Sequence, residues 1–125
     1  MTINTARTIL VVEDYSDSRA LLSAFLRNKG YTVIEAENGQ EGIEEAARTK
    51  PDLILMDLAM PELDGVEAIR RIRQIPDMAE TPIFVVSAYM MAGVEQDVQQ
   101  AGGTEIFEKP LDINALLERI EAELI

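Results

Sequence analysis

Residues 8–14 read TILVVED and residues 53–57 read LILMD. Each is an almost unbroken aliphatic run that ends abruptly in carboxylates. Continuous apolarity over about five residues is the pattern of a strand covered on both faces, the usual situation in a parallel sheet. Three further stretches share the length, and the predicted strands are Thr8–Val12, Tyr31–Glu35, Leu53–Met56, Pro82–Val86 and Thr104–Phe107. Helical patterns lie between them. Leu21, Leu22, Phe25 and Leu26 fall on one face of a helix that Gly30 closes from the C′ position. Asn38 with Glu41, and Asp64 with Glu67, have the spacing of a capping box. A last helix from about Asp112 carries Ile113, Leu116, Leu117, Ile120 and Leu124 as its inner stripe. Five strand–helix units with short connections predict an α/β fold: one five-stranded parallel sheet, doubly wound by five helices through right-handed crossovers. No linker, repeat or low-complexity stretch interrupts residues 1–125, so a single domain is expected, with nothing left over for a second.

Composition narrows the chemistry. The 125 residues carry 11 Lys+Arg against 23 Asp+Glu, a formal net charge of −12. Such acidity argues against direct nucleic-acid binding, because phosphate backbones are held mainly by Lys and Arg. The chain has no cysteine and no histidine. Disulfides, thiolate metal sites, cysteine nucleophiles, Ser-His-Asp triads and phosphohistidine chemistry on this chain are thereby excluded. No stretch approaches the ~18 consecutive apolar residues of a membrane span, and MTINTARTIL lacks a signal peptide's basic start and apolar core. A cytoplasmic globule without membrane contact is expected.

In open α/β sheets, ligands bind outside the carboxyl ends of the strands. After the first predicted strand come Glu13 and Asp14, after the third Asp57, after the fourth Ser87, and after the fifth Lys109. The second, ending in Glu35-Ala36, offers no comparable group. Any one of these residues is readily explained as a cap or a solvated loop position; the whole set at one sheet edge is not. Two carboxylates ~4 Å apart repel by about 4 kcal/mol at an effective dielectric of 20. Lys109 supplies one compensating charge for three, so a hard divalent cation with oxygen ligands, Mg²⁺, fits the deficit. With the cation bound, Asp57 is placed to attack a phosphoryl group as a carboxylate nucleophile, and Lys109 and Ser87 to stabilise the equatorial oxygens.

The motifs ILVVED at 9–14, LILMDLAMPELDG at 53–65, FVVSA at 84–88 and EKP at 108–110 resemble the receiver domain of bacterial two-component response regulators, in its single-domain, chemotaxis-regulator-like form. The resemblance spans essentially the whole chain. It implies a flavodoxin-like sheet of order 2-1-3-4-5, with Asp57 as phosphoacceptor. It makes Asp14 a direct Mg²⁺ ligand, Glu13 a ligand through water, and the Ala59 backbone carbonyl a further ligand beside Asp57. Ser87 would bond the phosphoryl group in the active state, Lys109 would pair with Asp57 or the phosphate, and the Lys109–Pro110 bond would be cis. Pro61 and Gly65 would shape the loop after Asp57. The partners implied are a sensor histidine kinase or histidine phosphotransfer protein as donor, and a downstream protein recognised through the helix 4–strand 5–helix 5 face. That face would include Tyr89, Met90, Met91, Val94, Val98 and Ile106.

Two departures qualify the likeness. Ile106 stands where the family usually has Tyr or Phe, and Phe107 beside it should point to the opposite face. A switch through Ser87 and repacking around Tyr89 and Met90, with Ile106 passive, is expected instead. Ala59 and Tyr89 offer no carboxylate or amide to position an attacking water, so slow self-dephosphorylation is expected. Other readings fit less well. An Asp-nucleophile phosphatase of the haloacid-dehalogenase type needs a second Asp where Ala59 stands. A flavodoxin-like cofactor carrier needs a phosphate loop where Glu13-Asp14 would repel the anion. A pseudo-receiver that binds partners without phosphorylation usually lacks the acidic pair, the Asp or the Lys, and all are present.

Overall fold

The computed structural model describes residues 6–58, 63–88 and 93–124. Its elements alternate: β1 (Thr8–Val12), α1 (Ser16–Asn28), β2 (Thr32–Ala36), α2 (Gly39–Thr49), β3 (Leu53–Leu58), α3 (Leu63–Arg73), β4 (Ile83–Ser87), α4 (Val94–Ala101), β5 (Glu105–Glu108) and α5 (Ile113–Leu124). The strands form one parallel sheet in the order β2-β1-β3-β4-β5. Four of the five strands begin or end one or two residues away from the sequence expectation. The consequential shift is that Asp57 and Ser87 lie inside β3 and β4, so the sheet's hydrogen bonds fix their backbones.

Strand alternation sorts the core into two layers. Leu10, Val12, Ile54, Met56, Ile83 and Val85 face α2, α3 and α4, whereas Ile9, Val11, Leu53, Leu55 and Phe84 face α1 and α5. Both layers are closed, which is why these strands read as continuous apolar runs. Ile106 packs on the first layer and Phe107 on the second, where its ring centroid lies 5.4 Å from that of Phe84. The expected opposition of these two residues is thus present.

Local signals explain several helix ends. The Asn38 side chain accepts the Glu41 N–H at 2.8 Å, while Glu41 reaches back to the Glu37 N–H at 2.9 Å, one residue earlier than a standard capping box. Asp112 accepts the Ala115 N–H at 3.1 Å and starts α5. Gly30 takes φ +99° just past α1, where its missing side chain removes the penalty of the left-handed region.

Three expectations need correction. Leu21 and Phe25 are exposed, and only Leu22 and Leu26 of that helix face pack inward. Leu21 lies too far round the helix from the Leu22–Leu26 line, and Phe25 stands over a cleft. Asp64 lies inside α3 rather than at its N-cap, and Gly65 lies within the same helix rather than in the loop after Asp57. Gly65 serves close packing, because a Cβ there would collide with the Leu58 side chain. Pro61 lies outside the described residues.

Candidate phosphoacceptor site

Register brings the predicted residues together. Parallel pairing sets Val12 beside Met56 and Asp57 beside Val86, so Glu13, the residue after β1, falls near the level of Asp57 at one edge of the sheet. Asp57 continues the Leu53–Leu55 parity and Glu13 the Ile9–Val11 parity, which places both carboxyls on the α1–α5 side of the sheet. There they border an open cleft of roughly 350 Å³, whose wall includes Leu21, Phe25, Lys109 and Pro110. Ser87 has the parity of Ile83 and Val85 and is completely buried at the last position of β4. Its carbonyl accepts the Lys109 N–H at 2.8 Å, tying the β5–α5 connection to β4. The Lys109–Pro110 peptide bond is cis.

The Lys109 ammonium is the hub of the charges. Its Nζ lies 2.6 Å from Asp57 Oδ2 and 3.8 Å from Glu13 Oε1. Burial opposes its charge, but the hydrogen-bonded Asp57 and the charges of Glu13 and Asp14 outweigh that, and its pKa rises. Glu13 is only 4% exposed. Burial, then hydrogen bonding to and repulsion by Asp57, push its carboxyl from 4.5 to about 8, although the Tyr15 N–H pulls the other way. That N–H meets Glu13 Oε2 at 3.0 Å, so the carboxyl is anchored at the start of α1. Asp57 is 10% exposed at its side chain, and Asp14 stands exposed at the rim.

The donor set suits a hard divalent cation: oxygen atoms only, three carboxyls at one strand edge and one ammonium among them. Among the described residues, no three acidic side chains are gathered closely enough to hold an ion alone. Mg²⁺ is commonly held by one or two carboxylates and completed by water and phosphate oxygens. Ala59, whose carbonyl is the fourth expected ligand, lies outside the described residues.

Two side chains packed beside the acidic pair were not legible in the sequence. Arg19 Nη1 donates to the Glu13 carbonyl at 2.8 Å, and its Nε donates to Glu35 Oε1 at 3.1 Å. The second strand therefore places Glu35, level with Val11 on the neighbouring strand, in contact with Arg19. An arginine in the first turn of an amphipathic helix carries no sequence signal of such contacts. On the expected output face, Val94 and Val98 are buried in the core, so among the described residues they are packing rather than surface. Tyr89, Met90 and Met91 lie outside the described residues.

Comparison with known proteins agrees with this geometry. Residues 9–121 match the family described as the response regulator receiver domain. The chain is 36% identical over 120 residues to the chemotaxis protein CheY of Bacillus subtilis, covering 95% of this chain and 98% of that one. It is 30% identical over 118 residues to the polar-differentiation response regulator DivK of Brucella anthropi, covering 94% and 96%. Among solved structures, the receiver domain of the sensor histidine kinase PA1611 from Pseudomonas aeruginosa aligns with a TM-score of 0.81 and 34% identity, over 93% of this chain and 94% of that one. That structure has a magnesium ion coordinated in its active-site cleft. With the 2-1-3-4-5 sheet and the Asp57–Lys109 pair at its carboxyl edge, this chain belongs to the response regulator receiver domain family.

Proposed function

We propose that this receiver takes a phosphoryl group onto Asp57 from a phosphohistidine of a sensor histidine kinase or histidine phosphotransfer protein, in a Mg²⁺-dependent reaction. The observation that carries the proposal is the Asp57 carboxyl itself, partly buried, held by Lys109 at 2.6 Å and opening onto the cleft. An Asp57 oxygen attacks phosphorus, the P–N bond to the donor imidazole breaks, and its electron pair stays on that nitrogen, which takes up a proton. An acyl phosphate remains on Asp57. Asp14, Glu13, Asp57 and the Ala59 carbonyl would hold the cation, Glu13 through water. Bound there, Mg²⁺ would supply charge neutralisation for the phosphoryl oxygens. Lys109 pairs with the transferred group and orients it, and the buried Ser87 hydroxyl sits at the β4 end to bond it after transfer.

The receiver acts only on itself, and its output is a changed set of protein contacts made in trans through the α4–β5–α5 face. Phosphorylation shifts the population toward the conformation that binds the added charge better. Its working place is the cytoplasm, with the phosphodonor; among the described residues no helix is long and apolar enough to cross a membrane. The test is intact mass after incubation with Mg²⁺ and a small phosphodonor. A single phosphoryl mass gain, absent in Asp57→Asn and abolished by chelation, is expected. No gain in the wild type would turn the reading to a pseudo-receiver.

A further inference from the structure

Arg19 is the one cation beside the acidic pair that touches none of its carboxylates among the described contacts. Its guanidinium is spent elsewhere: Nη1 on the Glu13 carbonyl at 2.8 Å and Nε on Glu35 Oε1 at 3.1 Å. The Arg19 side chain is only 14% exposed. Glu35 is itself held from behind, by Arg27 Nη1 at 3.3 Å on its other oxygen, and Arg27 also donates to the Val33 carbonyl at 3.1 Å. A chain of contacts thus runs from β2 through Glu35 and Arg19 to the peptide unit joining Glu13 to Asp14.

That peptide unit is the hinge of the acidic pair. The Glu13 N–H is fixed by the Ala36 carbonyl at 3.0 Å, the last contact of β1 with β2. Beyond it the sheet ends, and the Glu13 carbonyl has only Arg19 to set its direction among the described contacts. Rotating that carbonyl would rotate the Asp14 backbone with it, because the peptide is planar. We infer that Arg19, oriented by Glu35, is a positioning residue that sets the Glu13–Asp14 peptide so that both carboxyls face a divalent cation. The inference rests on the proposed Mg²⁺ site. Partners of this kind, one bond removed from the ligands, typically change metal affinity by about 10–100-fold when lost.

Charge alone makes the opposite prediction, which renders the inference testable. Removing a cation beside an acidic site should attract a divalent ion more strongly. Binding of Mn²⁺ to the full chain, followed by the electron paramagnetic resonance of the free ion and checked by Mg²⁺ competition, separates the two. Arg19→Met is expected to weaken binding by about 10-fold or more. Arg19→Lys, which keeps the charge but cannot reach both the carbonyl and Glu35, is expected to weaken it as well. Arg27→Met removes the same charge from Glu35 without touching the Glu13 carbonyl, and is expected to leave binding unchanged or slightly tighter. If Arg19→Met proves unfolded by circular dichroism, Arg19→Lys decides. Unchanged or tighter binding in a folded Arg19 variant, or equal weakening in Arg27→Met, overturns the inference. A wild type that binds neither ion overturns the proposed function itself, a result distinct from wild type and variant binding equally well.

Discussion

Glu13 offers the most quantitative check on the site. With its carboxyl pushed from 4.5 to about 8, most Glu13 in the metal-free protein is protonated at pH 7. The ionised fraction there is about one in eleven. A divalent cation within ~5 Å at an effective dielectric of 20 favours the carboxylate by about 7 kcal/mol, or about five pKa units. That exceeds the rise caused by burial and by Asp57, so binding must expel the proton. Titration calorimetry with Mg²⁺ in buffers of differing ionisation enthalpy should find about 0.9 proton released per ion at pH 7, about 0.5 at pH 8 and about 0.1 at pH 9. Apparent affinity should rise about tenfold per pH unit between pH 6 and 7.5 and level off above 8. Metal-free stability should run the other way. Between pH 4.5 and about 8 the folded state holds more protons at Glu13 than the unfolded state, so this group's contribution falls as pH rises across that window. Glu13→Gln should flatten all three profiles. No proton release from the wild type at pH 7, or a Glu13→Gln profile parallel to it, would refute the assignment of a shared, buried proton to this site.

Three further outcomes are expected. Arg73 donates to the Gly102 carbonyl at 3.0 and 2.8 Å and to the Met78 carbonyl at 2.8 Å, and burial lowers its pKa. Arg73→Met should cost about 3 kcal/mol, a fall of about 12 °C in Tm, and leave phosphorylation of Asp57 intact; a loss under 1 kcal/mol would show that the clamp contributes little. The Ser23 hydroxyl is fully buried with no hydrogen-bond partner among the described residues, so Ser23→Ala should stabilise by about 1 kcal/mol in denaturant unfolding; destabilisation would reveal an unseen partner. Ile106→Ala should cost about 2 kcal/mol or less of stability and keep the affinity change for the downstream partner on phosphorylation, whereas loss of that change would make Ile106 part of the switch.

The legible part of this protein is what period and strand ends encode. TILVV and IFVVS are buried on both faces by α1 and α5 on one side and α2, α3 and α4 on the other, so their continuous apolarity translates directly into sheet and layers. The polar residues that follow fall at one edge because parallel strands share a direction. What could not be read is what depends on rotation about a helix axis. Leu21 and Leu22 are equally apolar letters, yet the exact placement of α1 against the sheet leaves the first exposed and packs the second. Gly65 reads as a turn residue until the closeness of α3 to Leu58 is known. Arg19 reads as surface until its reach to the Glu13 carbonyl is seen.

These two kinds of information meet at the acidic pair. The strand ends supply the charges, and burial, then hydrogen bonding to and repulsion by Asp57, raise the Glu13 pKa to about 8. What holds them in place, besides the Lys109 ammonium between Asp57 and Glu13, is a set of contacts to backbone: Glu13 Oε2 with the Tyr15 N–H, Arg19 with the Glu13 carbonyl, and the Lys109 N–H with the Ser87 carbonyl. Each ties a loop to a neighbouring element and leaves the carboxyls facing the cleft. A site arranged in this way stays repulsive until a cation and a phosphoryl group arrive. On the proposed function, the free energy of binding them is then available to shift the β5–α5 connection that carries Lys109 against the fixed end of β4, where Ser87 stands.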